Sequence, residues 1–259
     1  MADGWDRLVA RARELAEQHA AASGLLSFYA VLLTAQAAVY RALRAQSTPA
    51  PSLDQNLSLV RPHAAMLLTV VAGNGPEALA NEARRLLDAG EGAMDGMMLA
   101  HWRAPLDHQF FAKAVLQPYG QWLTEHGVAP DDRPLARASN RCPFCGGAPQ
   151  LSILHGASDL EGGGRLLLCA TCLTRWPFRR VVCAFCGEED DRKLGYFHSP
   201  AFDHLRVDGC DTCRHYLKSV DLTRLGLAVP LVDEVAGASL DLWARDRGYE
   251  KIELNLVGL

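Results

Sequence analysis

Apolar residues recur at helical spacing through the first half of the chain and gather into short strand-like runs only beyond residue 140. Trp5, Leu8, Val9, Ala12, Leu15, Ala16 and His19 fall at i, i+3, i+4 and i+7 positions, which predicts an amphipathic helix with Asp3 as N-cap and Gly24 as its stop. From about Leu25 to Ala45 the run LLSFYAVLLTAQAAVY is the most apolar of the protein. Ser27, Thr34 and Gln36 interrupt it and Arg41 follows, leaving less than the ~20 apolar residues of a bilayer span, so it reads as a central core helix and no membrane insertion is expected. STPAPSLDQ breaks it, and Ser52 with Gln55 forms a capping-box pattern that starts the next helix. Pro62 should kink that helix, and Gly73-Asn74-Gly75-Pro76 should end it. Further helices are expected over residues 76–89, 91–103 and 107–126. Met94, Met97, Met98, His101 and Trp102 share a helical face, read as core packing, with an adaptable methionine-rich partner groove as the alternative. His101 and His108 have no thiolate or acidic companion at ligand spacing and read as core or surface histidines.

The stretch GVAPDDRPLARAS has prolines and charges without periodicity and reads as a linker. Beyond it, LSILH and RLLL flank a glycine-rich loop, and KLGYF and HLRV flank Ser199-Pro200, which predicts two short hairpins. Residues 231–247 read as one amphipathic helix, with Leu231, Val235, Ala238, Leu242 and Arg245 along a face, and the tail YEKIELNLVGL has no assignable element.

The hairpins are bracketed by the chemistry of the chain. All eight cysteines lie in C-x-x-C pairs: Cys142/Cys145, Cys169/Cys172, Cys183/Cys186 and Cys210/Cys213. Each maps onto another under a shift of 41 residues, so the segment is a duplicated module. Two cysteines three positions apart on a tight turn aim both sulfurs into one small volume, and two such turns make a tetrahedral cage for a soft metal ion. Gly146 and Gly187 follow the first pair of each copy, where a positive φ turns backbone N–H groups toward sulfur, and Leu173 and Arg214 hold the matching places after the second pairs. Sequential pairing puts Cys142, Cys145, Cys169 and Cys172 around one ion and Cys183, Cys186, Cys210 and Cys213 around the other; an interleaved cross-brace is the alternative. Disulfides fit poorly, because the charged, amphipathic N-terminus does not resemble a secretion signal and a cytoplasmic location with reduced thiols is expected.

The expected architecture is therefore α+β: an N-terminal helical bundle (1–135), duplicated rubredoxin-like or zinc-ribbon modules (136–221, with copies at 141–176 and 182–217), and a C-terminal helix and tail packing on them (222–259). Composition is ordinary for a globular chain of 259 residues, with 49% hydrophobic and 22% charged residues and a formal charge of −4. Side chains from Arg141 to Lys218 sum to +1, and two divalent ions each held by four thiolates bring the segment to −3, which argues against a nucleic-acid ribbon with a basic face. Arg175, Arg179 and Arg180, beside Trp176 and Phe178, form the one basic cluster, read as a bridge between modules or as a protein-recognition patch. No P-loop, G-x-S-x-G or dinucleotide fingerprint occurs. His155, His198, His204 and His215 lie near the cysteine pairs but are not needed as ligands, so each cage is closed and no catalytic residues are assigned.

The run CPFCGGAPQLS…LLLCATCLTRWPFRRVVCAFCG, with KLGYF, CDTCRHYLKSVD and VPLVDEVAGASLDLWARDRGY, resembles the FdhE-type formate dehydrogenase accessory proteins over about residues 141–249. The resemblance rests on Trp176, on Arg180 to Cys183, on Tyr216-Leu217-Lys218, and on Asp233 with Leu240. Asn255 is followed by Leu256, where the family's tail carries an Asn-Pro pattern. It implies a cytoplasmic maturation factor, not an enzyme, that binds the catalytic subunit of a formate dehydrogenase and holds rubredoxin-type iron in its cages, in preference to zinc, which satisfies the same ligands. The alternatives are a rubredoxin-like electron-transfer protein and a nucleic-acid-binding zinc ribbon.

Overall fold

A computed structural model describes residues 4–46, 48–105, 109–133, 138–156 and 164–259. Among the described residues six α-helices make up the first half: α1 (Gly4–Gln18), α2 (Ser23–Arg44), α3 (Leu53–Asn74), α4 (Glu77–Ala89), α5 (Glu91–Arg103) and α6 (Phe110–Glu125). Asp3 and His108 lie outside the described residues, and Gly24 falls inside the first turn of α2 instead of ending α1. α2 is the central helix, packed by α1, α3 and α6. Residues 20–44 are long and apolar enough to cross a membrane by length and composition, yet 56% of their most apolar window is buried inside the protein. The polar interruptions of α2 are used internally: buried Gln36 donates to Ala114 O at 2.8 Å and to Gln117 Oε1 at 3.1 Å on α6. The methionine-bearing face of α5 lies in the core, with Met94, Met98, His101 and Trp102 buried.

The start of α3 corrects one expectation. Ser52 makes no side-chain cap; instead Asp132, from the segment after α6, accepts from Leu53 N at 2.8 Å and from Trp102 Nε1 at 2.9 Å. Arg133 covers the Trp102 ring at 4.7 Å. A carboxylate at a helix start meets both its unpaired N–H groups and its dipole, so this segment is tied to the helical layer.

The second half is built on one seven-stranded sheet: β1 (Pro149–His155), β2 (Gly164–Cys169), β3 (Arg175–Pro177), β4 (Leu194–His198), β5 (Leu205–Cys210), β6 (His215–Asp221) and β7 (Glu250–Lys251). The order is β3-β2-β1-β6-β5-β4, with β7 beside β6. Within each copy neighbours are antiparallel, and the copies join through parallel β1 and β6, where Leu151 faces Lys218 and Ile153 faces Val220. The 41-residue shift carries β2 onto β5 and β3 onto the start of β6, so the copies stand head to tail in one sheet. Pro177, which has no N–H to offer, closes the open edge at β3. β1 and β6 lie at the centre of the sheet and are buried along nearly their whole length, so their polar residues need partners; Ser152 and Ser219 hydrogen-bond to each other across the seam.

The expected single C-terminal helix is two, α7 (Pro230–Ala236) and α8 (Ala238–Asp246). Gly237 stands at the break, and a β-carbon there would come within 2.6 Å of Leu205 Cδ1. α7 is buried throughout: Val232, Val235 and Ala236 join the helical core, and Leu231 packs with Leu151 and Ile153 of the sheet. Its Asp233 accepts from Arg11 of α1 at 2.6 and 3.0 Å, from His204 Nε2 at 2.9 Å and from Val229 N at 2.8 Å. Burial alone would raise the Asp233 carboxyl, but those donors outweigh it and hold it below the usual carboxylate range.

Beneath α7 and α8 lies a fully buried ion network of Lys218, Lys251, Glu234 and Asp241. Two cations meet two anions, and Tyr216 OH donates to Asp241 at 2.8 Å. Burial pushes the Lys251 ammonium down; burial of Asp241 is outweighed by both lysines, which hold its carboxyl low. The tail reaches back to both halves: Lys113 of α6 donates to Glu253 Oε1 and Leu254 O at 2.6 Å, and Asn255 donates to Glu234 Oε2 at 2.9 Å.

Candidate metal centres

The four cysteine turns share one backbone design. Cys142 N donates to Gly147 O, Cys169 N to Thr174 O and Cys183 N to Glu188 O, all at 2.9 Å. Residues 146, 173, 187 and 214 all have positive φ, between 57° and 78°. Gly146 and Gly187 adopt it without a side-chain penalty, whereas Leu173 and Arg214 are held there against one by the turn they close. The folded turns leave amides aimed at sulfur: Thr171 N donates to Cys169 Sγ at 3.3 Å and Phe185 N to Cys183 Sγ at 3.4 Å.

The sulfurs gather sequentially. Cys142, Cys145, Cys169 and Cys172 form one group, and Cys183, Cys186, Cys210 and Cys213 the other, with the sulfurs of each group within 4.8 Å of one another. Cys142 Sγ lies 3.6 Å from Cys172 Sγ, Cys145 3.5 Å from Cys169, Cys183 3.7 Å from Cys213 and Cys186 3.8 Å from Cys210. A tetrahedral ion with metal–sulfur bonds of ~2.3 Å separates its sulfurs by about 3.8 Å. A disulfide would bring two of them to about 2.05 Å. The donor set therefore fits a four-thiolate ion in each cage, and two such ions could be held.

Electrostatics set what a bound ion must offset. Burial pushes the Cys169, Cys172, Cys183 and Cys213 thiols up, while Cys142, on which its three companion thiols converge, is held well down. Four thiolates so close would repel one another in a dry site, and a cation at their centre removes that repulsion and favours the ionised form.

Three residues at the first cage carried no sequence signal. Gly120 of α6 faces the second turn so closely that a β-carbon would stand 3.0 Å from Cys172 Cα and Cβ. Gln117 of α6 donates to Ala170 O at 2.9 Å. A β-carbon on Gly147 would lie 2.8 Å from Cys169 Sγ. Periodicity marks α6 as buried but cannot say that its small face meets a cysteine turn.

The other residues singled out in the sequence take supporting places. Trp176 is buried in the first cage's apolar cluster and donates to Ser139 O at 3.0 Å; Phe178 packs on the same cluster and Arg179 pairs with Glu189. The connector thus bridges the modules, and its tryptophan is not presented to solvent. His204 binds Asp233, and His215 stacks on Phe185 at 3.7 Å with Nδ1 2.8 Å from Cys213 O. Among the described residues, no histidine joins either cysteine group.

Residues 141–180 match the family described as FdhE, central domain, and residues 181–257 match FdhE, C-terminal domain. A Protein FdhE homolog from Aquifex aeolicus is 42% identical over 119 residues, covering 46% of this chain and 42% of that protein. Another from Haemophilus ducreyi is 32% identical over 115 residues, covering 44% and 36%, and one from Pseudomonas putida is 28% identical over 160 residues, covering 57% and 47%. The matched stretch thus spans less than half the length of these relatives. The crystal structure of the FdhE protein from Pseudomonas aeruginosa superimposes with a TM-score of 0.68 over 98% of this chain and 95% of that one at 24% identity, so the fold is shared. Residues 141–257, with both cysteine cages inside them, are thus similar to the central and C-terminal domains of the FdhE family.

Proposed function

We propose that this protein is a cytoplasmic accessory factor that binds two soft metal ions through its eight cysteines and binds the catalytic subunit of a formate dehydrogenase during its maturation. The observation that carries the reading is the pair of four-sulfur cages inside residues that match the central and C-terminal domains of the FdhE family. Four thiolates complete the coordination of an ion and leave no position for a substrate, which favours a fold-holding or electron-accepting ion over a hydrolytic one. Cys142, Cys145, Cys169 and Cys172 would hold the first ion and Cys183, Cys186, Cys210 and Cys213 the second. Iron is favoured over zinc by the family reading, and an absorbance spectrum of anaerobically purified protein after mild oxidation separates them, because ferric tetrathiolate is coloured and zinc tetrathiolate is not.

The client reading is tested in a cell that makes a formate dehydrogenase. Tagged protein should retain the catalytic subunit, and deletion should abolish formate oxidation until the wild-type gene is restored. Normal formate oxidation in the deletion strain overturns it. A second reading, one-electron transfer, is favoured by the exposure of Cys186 at the second cage; it requires bound iron with a reversible potential, and a protein that stays colourless after mild oxidation removes it.

A further inference from the structure

The two cages have the same ligands and different surroundings. In the first, Cys142, Cys145 and Cys169 are 0% exposed and Cys172 1%; in the second, Cys183 and Cys210 are buried, Cys213 is half-buried and Cys186 is exposed. The duplicated sequence carries the same contrast. Under the 41-residue shift Ala170 becomes Asp211, Leu173 becomes Arg214 and Gly147 becomes Glu188. Leu173 and Phe144 pack against the helical core, and Gly120 of α6 closes on Cys172. Their counterparts face water. Arg214 and Asp211 form an exposed pair at 2.8 Å, and Phe185, the counterpart of Phe144, is 40% exposed with its ring on His215. Glu188, where the first copy needs a glycine against its sulfurs, turns outward to accept from Thr212 Oγ1 at 2.6 Å.

We propose that the second cage is the exchangeable metal site of the chain, and that its ion enters and leaves at Cys186 by ligand exchange with a small external thiol. This rests on the metal-binding reading above. In the step, the bond from the ion to Cys186 Sγ breaks as one to the incoming sulfur forms. The incoming thiol's proton passes to Cys186 Sγ, and no electron changes hands. The first cage is closed to the same attack until α6 moves away from Cys172, a sub-global opening that the second does not need.

The full chain loaded with two zinc ions is mixed with an excess of chromophoric zinc chelator at rising concentrations of a small monothiol. One ion is expected in a fast phase whose rate rises with thiol, and one in a phase at least about tenfold slower and insensitive to it, because that ion awaits local opening. Brief alkylation of the native chain should label Cys186 first and spare Cys142, Cys145, Cys169 and Cys172. Cys186→Ser should remove the fast phase and keep the slow ion, while Gly120→Ala should quicken only the slow phase. Release of both ions in one phase, or labelling of the first cage ahead of Cys186, overturns the proposal, and these wild-type measurements decide it even where a variant fails to fold. A chain that takes up neither zinc nor iron contradicts the metal reading instead.

Discussion

Gly120 and Cys172 meet with no room for a side chain: a β-carbon on Gly120 would stand 3.0 Å from both the Cα and the Cβ of Cys172. This contact docks the helical half onto the first metal module, with the Gln117 to Ala170 hydrogen bond one turn earlier on the same helix. Helix propensity alone favours Gly120→Ala by about 1 kcal/mol. Overpacking costs about 1–3 kcal/mol and should win, giving a net loss of stability. Urea unfolding monitored by far-UV CD checks the sign, and a stabilised variant would contradict the close approach.

Lys218 tests the buried ion network. Lys218→Met leaves Glu234 and Asp241 facing Lys251 alone, and breaking a buried ion pair by removing one partner costs about 3–5 kcal/mol. The same urea measurement reads it. A loss below about 1 kcal/mol would mean that the remaining charges relax or neutralise at little cost.

Asp233 gives stability a pH dependence of known sign. Its carboxyl is held low in the folded chain despite burial, by His204, Arg11 and the Val229 N–H. A depressed folded pKa means that its contribution is present above the unfolded value, about 4, and is lost as pH falls through the folded one. The stability gap between wild type and Asp233→Asn should therefore be largest near neutrality and shrink in acid. A gap that stays constant from neutral to acid pH would sink this assignment.

The cages were legible in the sequence because their chemistry is local: a cysteine pair three residues apart folds its own turn, and the repeat showed which turns correspond. The left-handed conformation was readable at Gly146 and Gly187 but not at Leu173 and Arg214, where the turn imposes a φ that the residue type does not advertise. The hairpins were visible and their common sheet was not, since the parallel seam of β1 and β6 joins Leu151 to Lys218 across the whole repeat. Apolar spacing continues through Gly237 and does not show the break between α7 and α8, where Leu205, from another part of the chain, leaves no room for a side chain. The tail had no readable pattern because its partners, Lys113 and Glu234, are supplied by distant helices. At α3 a plausible local cap lost to Asp132, a better-placed carboxylate far along the chain.

Residues 141–218 are too few per copy to hold their fold by apolar burial alone, whereas a structural ion supplies on the order of 10 kcal/mol. Stripping the ions should therefore reduce the β-sheet CD signal and leave much of the helical signal in place. An unchanged spectrum after verified removal would mean that the modules stand without metal.

The decisive quantity is the number of metal ions per chain, measured by elemental mass spectrometry on protein purified without oxygen, with its thiols counted in parallel. Two ions per chain, with all eight sulfurs reduced and those of the first cage protected until denaturation, is the result the cage geometry predicts. A chain without bound metal, or one whose cysteines are joined in disulfides, would contradict it.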